Sequence, residues 1–269
     1  MVIGSTELVA IVGTPIAQVK SPENFNRWFA QQQRNLVMLP IDLRAQQLGD
    51  FLATLRGWQN LRGCVVTVPY KQQVVAHLDE LSPRARALNS VNVIRRAADG
   101  RLLGDNVDGE GFLNAARQQG FDARGKQALV IGAGGVGSAI AYSLCQAGAA
   151  GVTLSDVSAQ RAQALAELLA ADFADVRISC TLSDLSSFAL IANASPVGMG
   201  DSNELPLDTA LLDSLPASAH VADVVTSPEL TPLLRLAQAR GCSIQTGPQM
   251  ALAQLGNLGQ FMGVTPLEL

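Results

Sequence analysis

Several things are scarce in this 269-residue chain, and each scarcity excludes a class of function. Only 16% of residues are charged, with 23 acids against 19 bases, so no basic face exists for a general nucleic-acid binder. Aromatics make up 4% and histidines number two, His77 and His220. The four cysteines, Cys64, Cys145, Cys180 and Cys242, are scattered without a CxxC pair, so neither a zinc site nor a disulfide framework is expected, and no metal is called for. The segment before Leu8 carries an acid and lacks the basic n-region of a signal peptide, which points to a reducing cytoplasm with free thiols. Charge is absent from Gln127 to Ser155, long enough to suggest a membrane span. The glycine clusters inside that stretch suit a buried strand followed by a tightly packed helix, so no membrane partner is expected.

What is present is regular punctuation. Strand-like apolar runs alternate with helix-length amphipathic stretches, the pattern of an α/β protein with parallel strands. Strands are expected at Leu8–Gly13, Val37–Leu43, Cys64–Val68, Ala128–Ile131, Gly151–Ser155, Val176–Cys180, Ala189–Ala192, His220–Val225 and Ser243–Gln245. Ser21-Pro22 is expected to cap a helix, serine at N-cap and proline at N1, and Ala45–Arg56 to form the next. Lys71 is expected to open another helix. Asp99-Gly100 between Val91–Arg96 and Arg101–Gly104 signals a hairpin. The pattern changes near Asp108. Two α/β domains are expected: a substrate domain over 1–107, completed by a C-terminal helix within 247–269, and a dinucleotide-binding domain over 108–246.

Three stretches carry chemistry. Gly132-Ala133-Gly134-Gly135-Val136-Gly137 fits GxGxxG between a strand and a helix. Its first glycine makes the turn, its second admits a diphosphate, and its third lets helix and strand pack. Asp156 ends the next strand about 20 residues on, where a carboxylate accepts bonds from ribose hydroxyls. It would repel the 2′-phosphate of NADP, and the nearest arginine, Arg161, lies a helical turn away. NAD is therefore expected in preference to NADP. Thr67-Val68-Pro69-Tyr70-Lys71 sets a lysine just past a buried strand, and Gly104-Asp105-Asn106-Val107-Asp108-Gly109 packs two carboxylates and an amide into a glycine-flanked turn. The residues alone leave open whether these are catalytic or merely a surface lysine and an Asx turn.

In this order, the motifs resemble the shikimate/quinate dehydrogenase family over essentially the whole chain. The likeness runs through Gly13-Thr14-Pro15-Ile16, Lys20-Ser21-Pro22, Asn26, Gly63–Lys71, Val91-Asn92, Gly104–Gly109, the glycine loop, Asn193–Met199, and Gly247 with Met250 and Gln254. The resemblance implies a Rossmann-type second domain and hydride transfer between a nicotinamide dinucleotide and a secondary alcohol of a cyclic hydroxy acid, as in aromatic amino acid biosynthesis. It implies Lys71 and Asp108 as the catalytic pair and Ser21, Thr67, Asn92 and Gln254 as substrate ligands. Asn193, Ser195 and Met199 would join the glycine loop and Asp156 around the cofactor. A monomer or homodimer is expected.

Four positions depart from the family pattern. Val19 stands where the first of two substrate-carboxylate serines is usual, Val65 for an asparagine, Thr226 for a tyrosine and Phe25 for a histidine. Each removes a hydrogen-bonding group, worth about 1.5–3 kcal/mol where a charge is involved. The hydride machinery looks intact and the substrate pocket altered. A non-catalytic sensor that binds NAD or a ring acid is the alternative expectation.

Overall fold

The computed structural model describes residues 2–268, in two compact units: residues up to Val107 together with Gln254 onward, and Asp108–Ala253. In the first unit the order is β1 (Glu7–Gly13), α1 (Ser21–Gln31), β2 (Leu36–Asp42), α2 (Leu48–Gly57), β3 (Leu61–Val66), β4 (Glu80–Leu81), α3 (Pro83–Leu88), β5 (Val93–Arg96) and β6 (Leu102–Asp105). Its mixed sheet runs β2-β1-β3-β5-β6-β4. β1 pairs in parallel with β2 and β3, while β5 is antiparallel to β3 and β6.

Alternation along β1 explains why this strand is apolar throughout. Val9 and Ile11 face a cluster with Phe25, Phe29, Val65, Leu255 and Leu258. Ala10 and Val12 face the other side, against Leu52, Leu55, Val66 and Tyr70. The predicted hairpin forms, with Gly100 at φ +88 in its turn.

Three local expectations are corrected. Lys20, not Ser21, is the N-cap of α1: its backbone is already helical and its carbonyl accepts from the N–H of Asn24 at 3.0 Å, so the helix starts a residue early. The stretch after Lys71 is only a five-residue 3-10 helix, Gln73–His77. An α-helix would give the Lys71 carbonyl to Val75; the N–H of Val91 takes it instead at 2.8 Å, and Val75 turns to Gln72. Ala45–Gln47 likewise forms a 3-10 turn ahead of α2.

The second unit runs α4 (Asp108–Gln118), β7 (Gln127–Ile131), α5 (Gly135–Gln146), β8 (Gly151–Ser155), α6 (Ala159–Asp172), β9 (Arg177–Ser179), β10 (Leu190–Asn193), α7 (Thr209–Leu212), β11 (His220–Asp223), α8 (Pro232–Ala239), β12 (Ser243–Gln245) and the start of α9 (Gly247–Met262). The sheet order is β9-β8-β7-β10-β11-β12 and every pairing is parallel. That is the doubly wound order of a dinucleotide-binding fold, with its switch point between β7 and β10. The uncharged stretch is β7, α5 and β8, and no helix among the described residues is long and apolar enough to cross a membrane.

Residues 247–253, expected with the first domain, group with the second. Gly247 is seated against the chain after β11: a Cβ there would lie 2.2 Å from the Val225 carbonyl oxygen.

Candidate active site

In the first unit the site residues gather at the carboxyl end of β3. Thr67 leaves that strand with its N–H on the Val12 carbonyl at 2.9 Å, beside the end of β1. Gly13 has to be glycine there, since a Cβ would meet the Thr67 methyl at 2.4 Å and the Val68 oxygen at 2.8 Å. Tyr70 is fully buried and its hydroxyl donates to the Leu43 carbonyl, which fixes the turn carrying Lys71.

Asn92 sits one strand over and is also buried. Its carbonyl accepts from Val66 at 2.7 Å, and its side-chain oxygen accepts from the N–H of Val107 at 2.9 Å. The oxygen end is thus committed to backbone. Ser21 lies one turn before Phe25 on α1, and its hydroxyl makes no hydrogen bond among the described residues. Gln254 precedes Leu255 and Leu258, which join the same apolar cluster as Phe25. Val19, Phe25 and Val65 also belong to that cluster, so three of the four departures from the family pattern are apolar side chains packed on apolar neighbours, while Thr226 is exposed.

In the second unit Asp108 opens α4 and is buried, in a first turn where the helix dipole favours a carboxylate. Gly109 brings α4 against α5: a Cβ would fall 2.1 Å from the Ala139 carbonyl. Gly132 has φ +100, and a Cβ on Gly137 would stand 1.8 Å from the Gly132 oxygen. Around Gly134 and Gly135 nothing lies within 4 Å of an added Cβ, at the point where α5 begins. This open, side-chain-free helix start is the shape a diphosphate needs, with unpaired N–H groups and the positive end of the dipole facing it. Ala133 and Val136 complete the loop, both partly exposed.

Asp156 closes this side of the cradle. Its side chain is 5% exposed and accepts from Ala133 N–H at 2.7 Å, Ser158 N–H at 2.7 Å and the Arg161 guanidinium at 2.8 Å. Burial alone would raise its pKa; the two N–H groups and Arg161 outweigh burial and hold it below the ordinary carboxylate value. Arg161, a helical turn away in sequence, is brought by α6 back onto Asp156. A cleft of about 470 Å³ adjoins, lined by Ser155, Asp156, Gln160 and Cys180 among others.

The Asn193–Met199 loop divides by role. Asn193 is fully buried, with its oxygen accepting from the N–H and hydroxyl of Ser195 at 3.1 and 2.7 Å. Its NH2 donates to Val197 O and to Asp223 at 3.1 and 3.0 Å. All four bonding positions of the Asn193 side chain are used within the protein, so it shapes the loop that carries Ser195 and Val197. Asp223, its partner 30 residues on, was invisible in the sequence. Burial pushes its carboxyl up, against the bonds from Asn193, Val225 and Thr231. Ser195 is partly exposed, and Met199 is 58% exposed beyond Gly198 at φ +86. No group of three or more metal-ligating side chains occurs among the described residues.

Two family models match: the shikimate dehydrogenase substrate binding domain over residues 11–94, and shikimate / quinate 5-dehydrogenase over residues 114–195. The chain is 38% identical over 275 residues to a shikimate dehydrogenase (NADP(+)) of Rhodospirillum rubrum, covering 99% of this chain and 95% of that one. A shikimate 5-dehydrogenase from Listeria monocytogenes, solved with shikimate and NAD, superposes with TM-score 0.90 at 29% identity, covering 99% and 95% of the two chains. The ligand-free 5-ketofructose reductase of Gluconobacter sp. strain CHM43 gives TM-score 0.91 at 27% identity, covering 98% and 95%. The all-parallel sheet of the second unit, with the glycine loop after β7, is the fold these matches imply, and the chain belongs to the shikimate/quinate dehydrogenase family of NAD(P)-dependent dehydrogenases that act on a CH–OH group.

Proposed function

We propose that this protein oxidises a secondary alcohol of a shikimate- or quinate-like ring acid with NAD, using Lys71 as the proton acceptor and Asp108 as its orienting partner. The observation that carries the reading is the gathering of Thr67, Lys71 and Asn92 at the carboxyl end of β3, where open α/β sheets bind ligands. When bound, the nicotinamide dinucleotide supplies the hydride acceptor. The hydroxyl proton has to leave as hydride departs, and a lysine within hydrogen-bond reach accepts it, or returns it in the reverse direction. Asn92 donates from its NH2 end to a ring hydroxyl, and Ser21, Thr67 and Gln254 hold the ring.

On the dinucleotide side, Gly134 and Gly135 leave the diphosphate room and Asp156 accepts from the ribose hydroxyls. NAD is favoured over NADP because the Asp156 carboxylate, held ionised, repels a 2′-phosphate. Arg161 is engaged with that carboxylate and so does not by itself make a phosphate site. The substrate carboxylate meets fewer hydrogen-bond donors than is usual in the family, since Val19 and Val65 lie in an apolar cluster. Shikimate itself is therefore held weakly.

NADH formation from shikimate, quinate and related hydroxy-ring acids, with NADP in parallel, tests the proposal. NAD-linked turnover with a ring acid is expected. No turnover with any of them, while calorimetry still shows NAD binding, would overturn it and favour a sensor.

A further inference from the structure

Asp105, the first carboxylate of the Gly104–Gly109 motif, has no part in the chemistry above, yet it is 5% exposed and among the most heavily bonded side chains in the first unit. Arg84 grips it with a two-pronged fork, Nε to Oδ1 at 2.8 Å and Nη2 to Oδ2 at 2.7 Å. The Ser82 hydroxyl donates to Oδ1 as well, while the same hydroxyl caps α3 by accepting from Ala85 N–H at 3.1 Å. A third donor to Oδ1 is the N–H of Asn106 at 2.7 Å.

A buried fork of this kind costs desolvation and is weak ground for stability alone. What it does here is geometric. The Asp105 carbonyl accepts from the N–H of Asn92 at 2.9 Å, and the Asn92 oxygen accepts from Val107 N–H. Asn106 NH2 donates to the Ser90 hydroxyl at 3.2 Å. Thus all three residues before Asp108 are tied down, two through backbone N–H groups and one through its carboxylate. The same knot holds Asn92 by both its backbone and its side chain. Arg84 comes from a helix 21 residues earlier and is the clamp that keeps Asp105 in this role.

We infer that the Arg84–Asp105 pair is a positioning device: it sets the orientation of Asn92 and of the turn that delivers Asp108. This rests on the functional reading of Asn92 and Asp108 given above. Neither Arg84 nor Asp105 touches substrate in this account; both act through the residues they hold.

The test compares Arg84→Lys, Asp105→Asn and Asp108→Asn in the full-length protein, reading kcat, KM, the pH profile of kcat/KM, NAD affinity by calorimetry and Tm. Arg84→Lys keeps the charge but loses the fork. It should lower kcat about tenfold, since small misplacements of catalytic groups are costly. The pH at half-maximal kcat/KM should move, while NAD affinity stays within about twofold. Asp105→Asn should show the same pattern, and Arg84→Ala a larger loss if it folds. Wild-type kcat, KM and pH profile in a folded Arg84→Lys enzyme, with only Tm lowered, would reduce the pair to a structural role and overturn the inference. Full turnover by Asp108→Asn would instead overturn the functional reading itself, and the positioning role with it.

Discussion

Two asparagines at strand ends, one in each unit, are used in opposite ways. Asn193, the last residue of β10, spends all four side-chain bonding positions on Ser195, Val197 and Asp223. Asn92, before β5, instead reaches out of its own loop and gives its oxygen to the Val107 N–H, 15 residues on. The contrast extends to the units that hold them. The second unit builds its site from backbone, with glycines removing side chains from the start of α5. The candidate site of the first unit is made chiefly of side chains set at the ends of β3 and β5. A backbone site is broken by adding atoms, a side-chain site by removing them.

The largest effect should come from removing the working group of the side-chain site. Lys71→Ala should cut turnover by about 10²–10⁴, the usual worth of a positioned acid–base group, while NAD still binds in calorimetry. Surviving turnover would show that the proton goes elsewhere, and the resemblance would have misassigned the catalyst.

The backbone site can be broken in two distinguishable ways within four residues. Gly137→Ala places a methyl 1.8 Å from the Gly132 carbonyl oxygen, a backbone atom that cannot step aside. A loss of about 2–4 kcal/mol of stability is expected in chemical denaturation. Gly134→Ala meets nothing within 4 Å and its φ of −79 suits any residue. It should fold like the parent and bind NAD about tenfold less tightly, because the methyl stands where the diphosphate approaches. If both variants lose only stability, the loop is structural and not a cradle.

This difference between sites also decides what the sequence reveals. Gly132, Gly134 and Gly137 are legible because a backbone site needs particular residues at fixed short spacings, and β7, α5 and β8 follow from local periodicity. Lys71 and Asp108 stand out only through motif order, since their meaning depends on strands far apart in the chain. Asp105 looks like a second turn carboxylate until Arg84, 21 residues away, is seen holding it. The bond from the Asn193 NH2 to Asp223, 30 residues on, is hidden in the same way. The short helix after Lys71 is misread for a related reason: one N–H, that of Val91, competes for the Lys71 carbonyl from across the sheet.

A subtler change probes the mixed case, a side chain serving the backbone site. Asp156→Ala removes the acceptor of Ala133, Ser158 and Arg161 together. NAD affinity should fall, and NADP should gain as the repelling charge goes and Arg161 is released. A shift of about tenfold in the ratio of the two dissociation constants is expected from one charge at contact distance in a partly wet site. An unchanged ratio would remove Asp156 from the account of cofactor choice, leaving its bond to Ala133 as a purely structural one.

The smallest effect concerns stability rather than ligands, and asks whether the second unit's rigidity depends on pH. His220 is buried on β11, stacked on Phe121 with ring centroids 5.3 Å apart, and bonded to Ser243 and Gln245 at 2.9 and 3.3 Å. Burial pulls its pKa below the ordinary histidine value, against the smaller opposing effect of Gln245. The native state therefore stays neutral while the unfolded chain takes up a proton below about pH 6.5. Stability from this group is complete above that pH and declines as pH falls toward the native pKa. His220→Gln should lower Tm at pH 7.5 by a few degrees through lost stacking and bonding, about 1 kcal/mol. Part of that deficit should disappear at pH 5.5, where the parent has lost its advantage and the variant has no proton to refuse. A deficit equal at both pH values would mean that His220 is protonated in place, and that Ser243 and Gln245 accept from both of its nitrogens.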